Sequence, residues 1–354
     1  MDTETLIIGG GLSGLSLARH LSARGDRFLL VEARDRWGGR IFSETHAGGA
    51  FDLGPSWFWP GQPRIAALVD ALGLTRFDQY ADGALSYEEV DGSVQRGRGF
   101  ASMEGSWRID GGFGAMTSAI AAALPQDNIC LSTKITALEK TENGITARTE
   151  TGDDIHARRV VLALPPRLAA QFAFTPALPS DTMTEMAQVA TWMAGHAKAF
   201  AIYDRPFWRD AGLSGDAMSR KGPLAEIHDA SAADGPYALF GFVGLPPAAR
   251  LDQAALKQAI LDQLVRIFGA EAAAPQTLCI KDWTRDPLTA TSLDHQPLSY
   301  HPHYGMPRAL LGLWDGRLVF AGTEVANEFG GYLEGALVAA EAALTQIPAT
   351  EGAE

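Results

Sequence analysis

Residues 6–40, LIIGGGLSGLSLARHLSARGDRFLLVEARDRWGGR, decide the architecture. Leu6–Ile8 reads as a short buried strand that runs into Gly9, Gly11 and Gly14 of a G-x-G-x-x-G pattern, and SLARHLSARG reads as an amphipathic helix. A strand-to-helix turn whose backbone must approach a pyrophosphate has no room for a β-carbon. The helix behind it offers free N–H groups to the anion, those of Leu12 and Ser13 among them. RFLLVEAR reads as a second strand ending on Glu32, eighteen residues beyond Gly14. A carboxylate there, with Ala33 beside it, accepts hydrogen bonds from ribose hydroxyls and repels a 2′-phosphate. The implied dinucleotide is FAD or NAD rather than NADP. Arg34 and, four residues later, Gly38-Gly39-Arg40 add what an ordinary NAD site does not need. They can bring backbone and a bidentate cation against the same diphosphate.

At 354 residues the chain is too large for one ordinary core and too small for three, so two lobes are expected. A formal charge of -13 argues against nucleic acid or anionic membranes as partners and mildly suits a cationic substrate. The two cysteines, Cys130 and Cys279, stand in no metal or redox spacing and are expected to be buried, reduced thiols of a cytoplasmic protein. The N-terminus has no basic region before its apolar run, and no stretch of eighteen apolar residues occurs, so neither a signal peptide nor a membrane span is expected.

Residues 47–61, AGGAFDLGPSWFWPG, read as a loop whose Trp57 and Trp59 suit either core or a flat ligand. Residues 63–74 read as a short helix, SYEEVDGSVQR as a hairpin turned at Asp91-Gly92, and 111–124 as a glycine turn followed by an apolar helix. ICLSTKITALEK and the residues to RVVLALPP read as several strands, the last central to the sheet begun at Leu6. Beyond Pro166 come the strand HAKAFAIY, the polar stretch DAGLSGDAMSRKG, the strand FGFVGL and the longest amphipathic helix, LDQAALKQAILDQLVRIFG. Residues 291–315 read as loop, RLVFAGTE as a strand, GGYLEGALVAAEAALTQI as a closing helix, and PATEGAE as a frayed tail. The chain thus leaves its nucleotide lobe and returns to it. The expected division assigns 1–76, 107–172 and 291–354 to that lobe, and 77–106 and 173–290 to a substrate lobe. Lys198, alone among apolar residues of its strand, must reach either solvent or a buried acceptor. His301 and His303, with His295, could be read as metal ligands, but the proline-spaced pair lies in a loop without a nearby acid or cysteine, so no metal is expected. Ser13 and Ser56 lack the partners of a hydrolase triad.

The chain resembles the flavin-containing amine oxidases of the monoamine and polyamine oxidase type. GGGLSGLSLA, EARDRWGGR, FDLGPSWF, IDGG, VVLALPP, KAFAIYDRPFW with GLSG after it, the lone Trp283, and FAGTE followed by GGYLEGALVAAEAAL carry the likeness in the family's order. The resemblance implies an α/β fold, with an FAD-binding Rossmann-like lobe of glutathione-reductase type and an interleaved α+β substrate lobe. It implies FAD as cofactor, held by the residues of the first stretch together with Gly54, Pro55, Ser56 and Trp57. Ile135, near the adenine, and Ala163 join them, with Trp283, Gly322, Glu324, Gly331, Tyr332 and Leu333 on the return. Lys198 matches the lysine that meets flavin N5 through a water, and Tyr332 matches one of two aromatic walls around the amine. A helix N-terminus beyond Tyr332 would stabilise the negative charge of reduced flavin.

The departures are as informative. Ten residues beyond Trp283, where the second cage tyrosine is expected, stands Leu293, and Ser292 replaces the cysteine that bonds flavin covalently. FAD should therefore be held non-covalently, and His295, Phe329 or Trp59 would have to complete the cage. The chain between Trp59 and Gly111 is also short for the family. The expected activity is oxidation of a primary or secondary amine by hydride transfer to flavin N5, giving imine, then aldehyde, with oxygen as acceptor and hydrogen peroxide as product. The alternatives are an FAD-dependent desaturase or dehydrogenase, a non-catalytic flavin-binding protein, and an NAD-dependent dehydrogenase.

Overall fold

The strand that opens the chain stands at the middle of the first of two large sheets. The computed structural model describes residues 2–296 and 298–349, so the tail expected to fray lies outside the described residues from 350 onward. Among them, an eight-stranded sheet is built around Asp2–Ile8. Phe28–Val31 pairs in parallel with it on one side and Asp154–Leu162 on the other, and Ile129–Cys130 adds to the first side. Asp154–Leu162 divides its outer edge. Its first residues pair antiparallel with Ile145–Thr149, and Val160–Leu162 pair in parallel with the returning strand Leu318–Phe320. Helices Leu12–Ala23, Gly112–Ala123 and Leu333–Thr345 cover one face, burying Leu15, Ile120 and Ala340 against Ile7, Leu30 and Val161. Burial from both sides is why these strands read as unbroken apolar runs.

A second, seven-stranded sheet has the order Thr277–Asp282, Ala197–Tyr203, Tyr237–Val243, Leu224–Asp229, Leu213–Ser219, Ala84–Glu88, Val94–Arg96. The period-2 alternation of Ala197–Tyr203 sorts its side chains. Ala199, Ala201 and Tyr203 join Leu256, Ile260 and Leu264 of the helix Gln253–Phe268, whereas Phe200 and Ile202 pack on Phe51, Leu53 and Trp57. Lys198 shares the latter side, so the strand points its ammonium toward the loop after Leu53.

Several expectations need correction. The 47–61 segment is not all loop: Ser43–His46 and Gly49–Asp52 form a hairpin turned at Ala47-Gly48, held because Phe51 is buried against Phe200. The polar stretch after Asp210 contains the strand Leu213–Ser219, whose Asp216 is buried against His228 rather than solvated. Both cysteines are half-buried, not buried. The boundary at 172 falls too early. Ala173–Thr175 still pairs in parallel with Ile135–Lys140 of the first sheet, and Leu178 and Met186 pack on that sheet's second face.

The closing helix also caps another helix. Glu334, fully buried, accepts from the N–H groups of Arg64 and Ile65 at 3.0 and 2.9 Å, satisfying the first turn of Pro63–Ala71. Removing it strands two donors. Glu334→Ala is therefore expected to lower unfolding free energy by about 2 kcal/mol, read as a lower urea midpoint at unchanged slope.

Candidate active site

The glycine turn builds a surface without side chains. A β-carbon on Gly14 would lie 1.9 Å from the carbonyl oxygen of Gly9, so no other residue fits there. At Gly11 a β-carbon would meet only Gly38 O, 3.9 Å away, which leaves the helix entrance open. Leu12–Ala23 begins with no side-chain cap among the described residues and no acid in its first turn, so its N–H groups and positive end are available to an anion. Gly38 lies alongside, bridged to Gly11 and donating to Gly10 O at 2.8 Å. Glu32 fixes both turns by accepting from Gly10 N at 2.7 Å and Arg34 N at 2.9 Å. Ser13 Oγ donates to Ala321 O, tying the turn to the returning strand. These features suit a diphosphate. The guanidinium of Arg34 does not join them, because it binds Asp286 and Thr289 at 2.8 and 2.9 Å.

The returning segment adds a buried carboxylate. Glu324 is fully buried and 2.6 Å from Arg40 Nη1, yet neither of its oxygens makes a directed hydrogen bond among the described residues. A buried carboxylate with spare acceptor capacity suits the hydroxyl groups of a bound nucleotide. Gly322 packs where a β-carbon would meet Leu164 O at 2.5 Å. Thr323 Oγ1 accepts from Gly331 N and donates to Tyr332 O, which shapes the entrance of the closing helix ahead of Leu333. That helix, too, starts without a side-chain cap among the described residues. Ala163 N donates to Ile8 O at 2.9 Å beside the glycine turn, and Ile135 is buried at the start of its strand.

The loop Leu53–Trp57 is fastened by Trp283, just after the edge strand of the second sheet, and by Gln79. Trp283 Nε1 donates to Leu53 O at 2.9 Å, and Trp57 Nε1 to Gln79 at 2.7 Å. Lys198 Nζ donates to Gly54 O and reaches Ser56 Oγ at 3.2 Å, next to half-buried Pro55. The strand is interior, not an edge, so the lysine cannot escape to solvent; it is 5% exposed. Trp57, Phe240 and Phe242 surround the ammonium, with ring centroids 4.8 to 5.6 Å away. Burial lowers the Lys198 pKa to about 7, and the Asp52 carboxylate opposes that shift only in part. Asp52, which sequence reading passed over, is buried, accepts from Phe113 N at 3.0 Å and has its own pKa raised by burial. Trp57 and Trp59 belong to the apolar cluster around Phe200 rather than to a bare ligand platform.

The aromatic surroundings of Tyr332 differ from expectation. Its ring stacks on His301 at 4.8 Å and 15°. His301 is also edge-on to Trp192 and Tyr304, and its Nε2 is buried without a hydrogen-bond partner among the described residues. His295 is exposed and Trp59 packs in the cluster around Phe200; Phe329 accepts from Tyr332 N at 3.0 Å through its backbone carbonyl, but among the described residues its 41% exposed ring makes no ring contact with Tyr332. Leu293 is 58% exposed on a turn anchored by Asp294, which caps Thr291 and pairs with Arg167 at 2.6 Å. Sequence reading weighed His301 only as a metal ligand; no local pattern places it against Tyr332.

Comparison with known proteins gives this arrangement a family. The model of the flavin-containing amine oxidoreductases matches residues 12–99 and 86–347. A probable flavin-containing monoamine oxidase A of Dictyostelium discoideum is 23% identical over 444 residues, covering 94% of this chain and 95% of that protein. That alignment is longer than the 354 residues here, so the relative carries segments this chain lacks. Putrescine oxidase of Kocuria rosea is 25% identical over 414 residues, covering 82% and 85%. Cyclohexylamine oxidase from Brevibacterium oxydans shares the fold, with a TM-score of 0.82 at 22% identity over 98% of both chains. Matched along most of its length, and carrying a side-chain-free cradle for a dinucleotide, the chain belongs to the flavin-containing amine oxidoreductase family and is an FAD-dependent oxidoreductase.

Proposed function

We propose that this protein oxidises small primary or secondary amines with non-covalently bound FAD, using oxygen as acceptor. The observation that carries the reading is Lys198, a buried ammonium with a lowered pKa, held against Gly54 and Ser56. FAD held at this site would supply a hydride acceptor at N5 and an electron relay to oxygen, in which case the amine would leave as an imine, hydrolysed to an aldehyde, with hydrogen peroxide as co-product. The residues proposed to hold it are Gly9, Gly11, Leu12, Ser13 and Gly14 at the diphosphate. Glu32 and Ala33 meet the ribose, Gly38, Gly39 and Arg40 add to the diphosphate site, and Glu324 faces the hydroxyl-bearing chain. Ser292 in place of a cysteine supports non-covalent retention. Lys198 holds and moves a proton beside the loop Gly54–Trp57, and Tyr332 with His301 orients the amine. The first sheet with its helices serves as the cofactor lobe and the second sheet as the substrate lobe. Two cysteines outside any disulfide support work in a reducing cytoplasm.

Lys198→Met is expected to keep the flavin bound and slow turnover by roughly a hundredfold, the scale of a positioned proton-transfer group. An unchanged rate in both half-reactions would remove the lysine from the mechanism. Because its folded pKa lies below that of an exposed lysine, the unfolded chain binds more protons between about pH 7 and about pH 10. The Lys198 contribution to stability should rise with pH across that window. Urea titrations of wild type and Lys198→Met at pH 6 to 10 check the sign through the difference between the two proteins.

The activity is tested by an absorbance spectrum before and after acid precipitation, followed by anaerobic titration with an amine panel and a peroxide assay in air. Yellow colour released to the supernatant, bleaching by an amine and one peroxide per turnover are expected. A flavin that no amine bleaches overturns the activity; peroxide-free turnover overturns oxygen as acceptor.

A further inference from the structure

A second cluster of reactive side chains lies where the Ser43–His46 strand meets the second sheet. Glu44 and His46 are two residues apart on one strand and therefore project from the same face. Cys279, 233 residues from His46 in sequence, comes from Thr277–Asp282, where it is paired in register with Phe200. Cys279 Sγ is 3.5 Å from His46 Nε2, which is 3.1 Å from Glu44 Oε2, and one ligand atom from each residue lies within 4.8 Å of the others. All three side chains are half-buried, so a small ion can enter without unfolding the seam.

Two of the separations, which are hydrogen-bond lengths, also match the edges of a metal tetrahedron. Zinc bonds of about 2.3 Å to sulfur and about 2.0 Å to nitrogen and oxygen give tetrahedral edges of about 3.5 Å for S···N and about 3.3 Å for N···O. The observed values lie within a few tenths of an ångström of both edges. The donor set, one thiol, one imidazole and one carboxylate, is a zinc set rather than a calcium or magnesium set. Beneath it, His46 lies edge-on to Phe200, itself stacked on Phe51, which gives the cluster an apolar floor.

We propose that Glu44, His46 and Cys279 bind a thiophilic divalent cation, Zn²⁺ in type, which clamps the hairpin of the cofactor lobe to the edge strand of the second sheet. Three protein donors leave a fourth position for water. The cation needs no part in amine oxidation, and the site stands or falls independently of that reading.

Titrating the flavin-loaded protein with Co²⁺ as a spectroscopic stand-in tests the site, with Zn²⁺ competition measured against a chromogenic chelator. One equivalent is expected to produce a thiolate-to-cobalt charge-transfer band in the difference spectrum, displaced by Zn²⁺. Cys279→Ser should abolish the band. His46→Ala and Glu44→Gln should weaken zinc binding tenfold or more, and Cys130→Ser should leave it unchanged. Retained flavin absorbance certifies that each variant is folded. Absence of a saturable one-equivalent band in the wild type, or its survival in Cys279→Ser, overturns the proposal.

Discussion

A positive charge sealed from water is the constraint on which the site depends. Removing an ammonium from solvent costs several kcal/mol even after the protein relaxes. Lys198 recovers part of this from Gly54 O, Ser56 Oγ and three ring faces. Each partner imposes a requirement. The carbonyl must turn toward the second sheet, so the loop after Leu53 is fastened there by Trp283 as well. The rings come from the neighbouring strand Tyr237–Val243 and from Trp57, so the sheet must present Phe240 and Phe242 on the lysine's side. The compensation is incomplete, and the lysine therefore titrates near neutrality.

Carboxylates elsewhere mark the cofactor region by contrast. Asp52 receives the first turn of Gly112–Ala123, and Glu334 receives that of Pro63–Ala71. Asp229, in the second sheet, takes Trp208, Arg209 and Ser231 together. In each case a buried acceptor is used by donors of the chain. Glu324 breaks the pattern: it is equally buried, has one ion-pair partner and no directed hydrogen bond among the described residues. Meanwhile the helix entrances after Gly11 and Tyr332 carry no side-chain cap among the described residues. A spare acceptor and spare donors together are what a ligand with both hydroxyl and phosphate groups requires.

Much of this was legible in the sequence because the governing signals are local. Gly9 to Gly14, the apolar strands and the two long amphipathic helices follow from spacing within a few turns of chain. The resemblance to the amine oxidases singles out Lys198 and Tyr332 for the proposed site. What escaped notice depends on partners distant in sequence. Leu213–Ser219 reads as polar because its Asp216 has a buried histidine as partner, so a hydropathy pattern points the wrong way. The Gly49–Asp52 strand is too short and glycine-rich to register until Phe51 meets Phe200. Cys279 and His46 are neighbours only because two sheets meet.

The contact between Tyr332 and His301 shows why a missing family residue does not leave a simple hole. At position 293, restoring an aromatic ring would place it on an exposed turn pinned by Asp294 and Arg167, with no structural reason to approach Tyr332. The ring that does approach arrives from later in the chain and lies parallel to the tyrosine, so one face of Tyr332 is already occupied. Two facing walls with a gap between them hold a guest by their surfaces. A stacked pair offers one remaining ring face together with the buried Nε2 of His301, unpartnered among the described residues, which is a directional contact. Recognition at such a site depends more on the position of a hydrogen-bonding atom than on the thickness of the guest. A substitution that preserves ring shape but lacks the nitrogen therefore removes a different interaction from one that removes the ring.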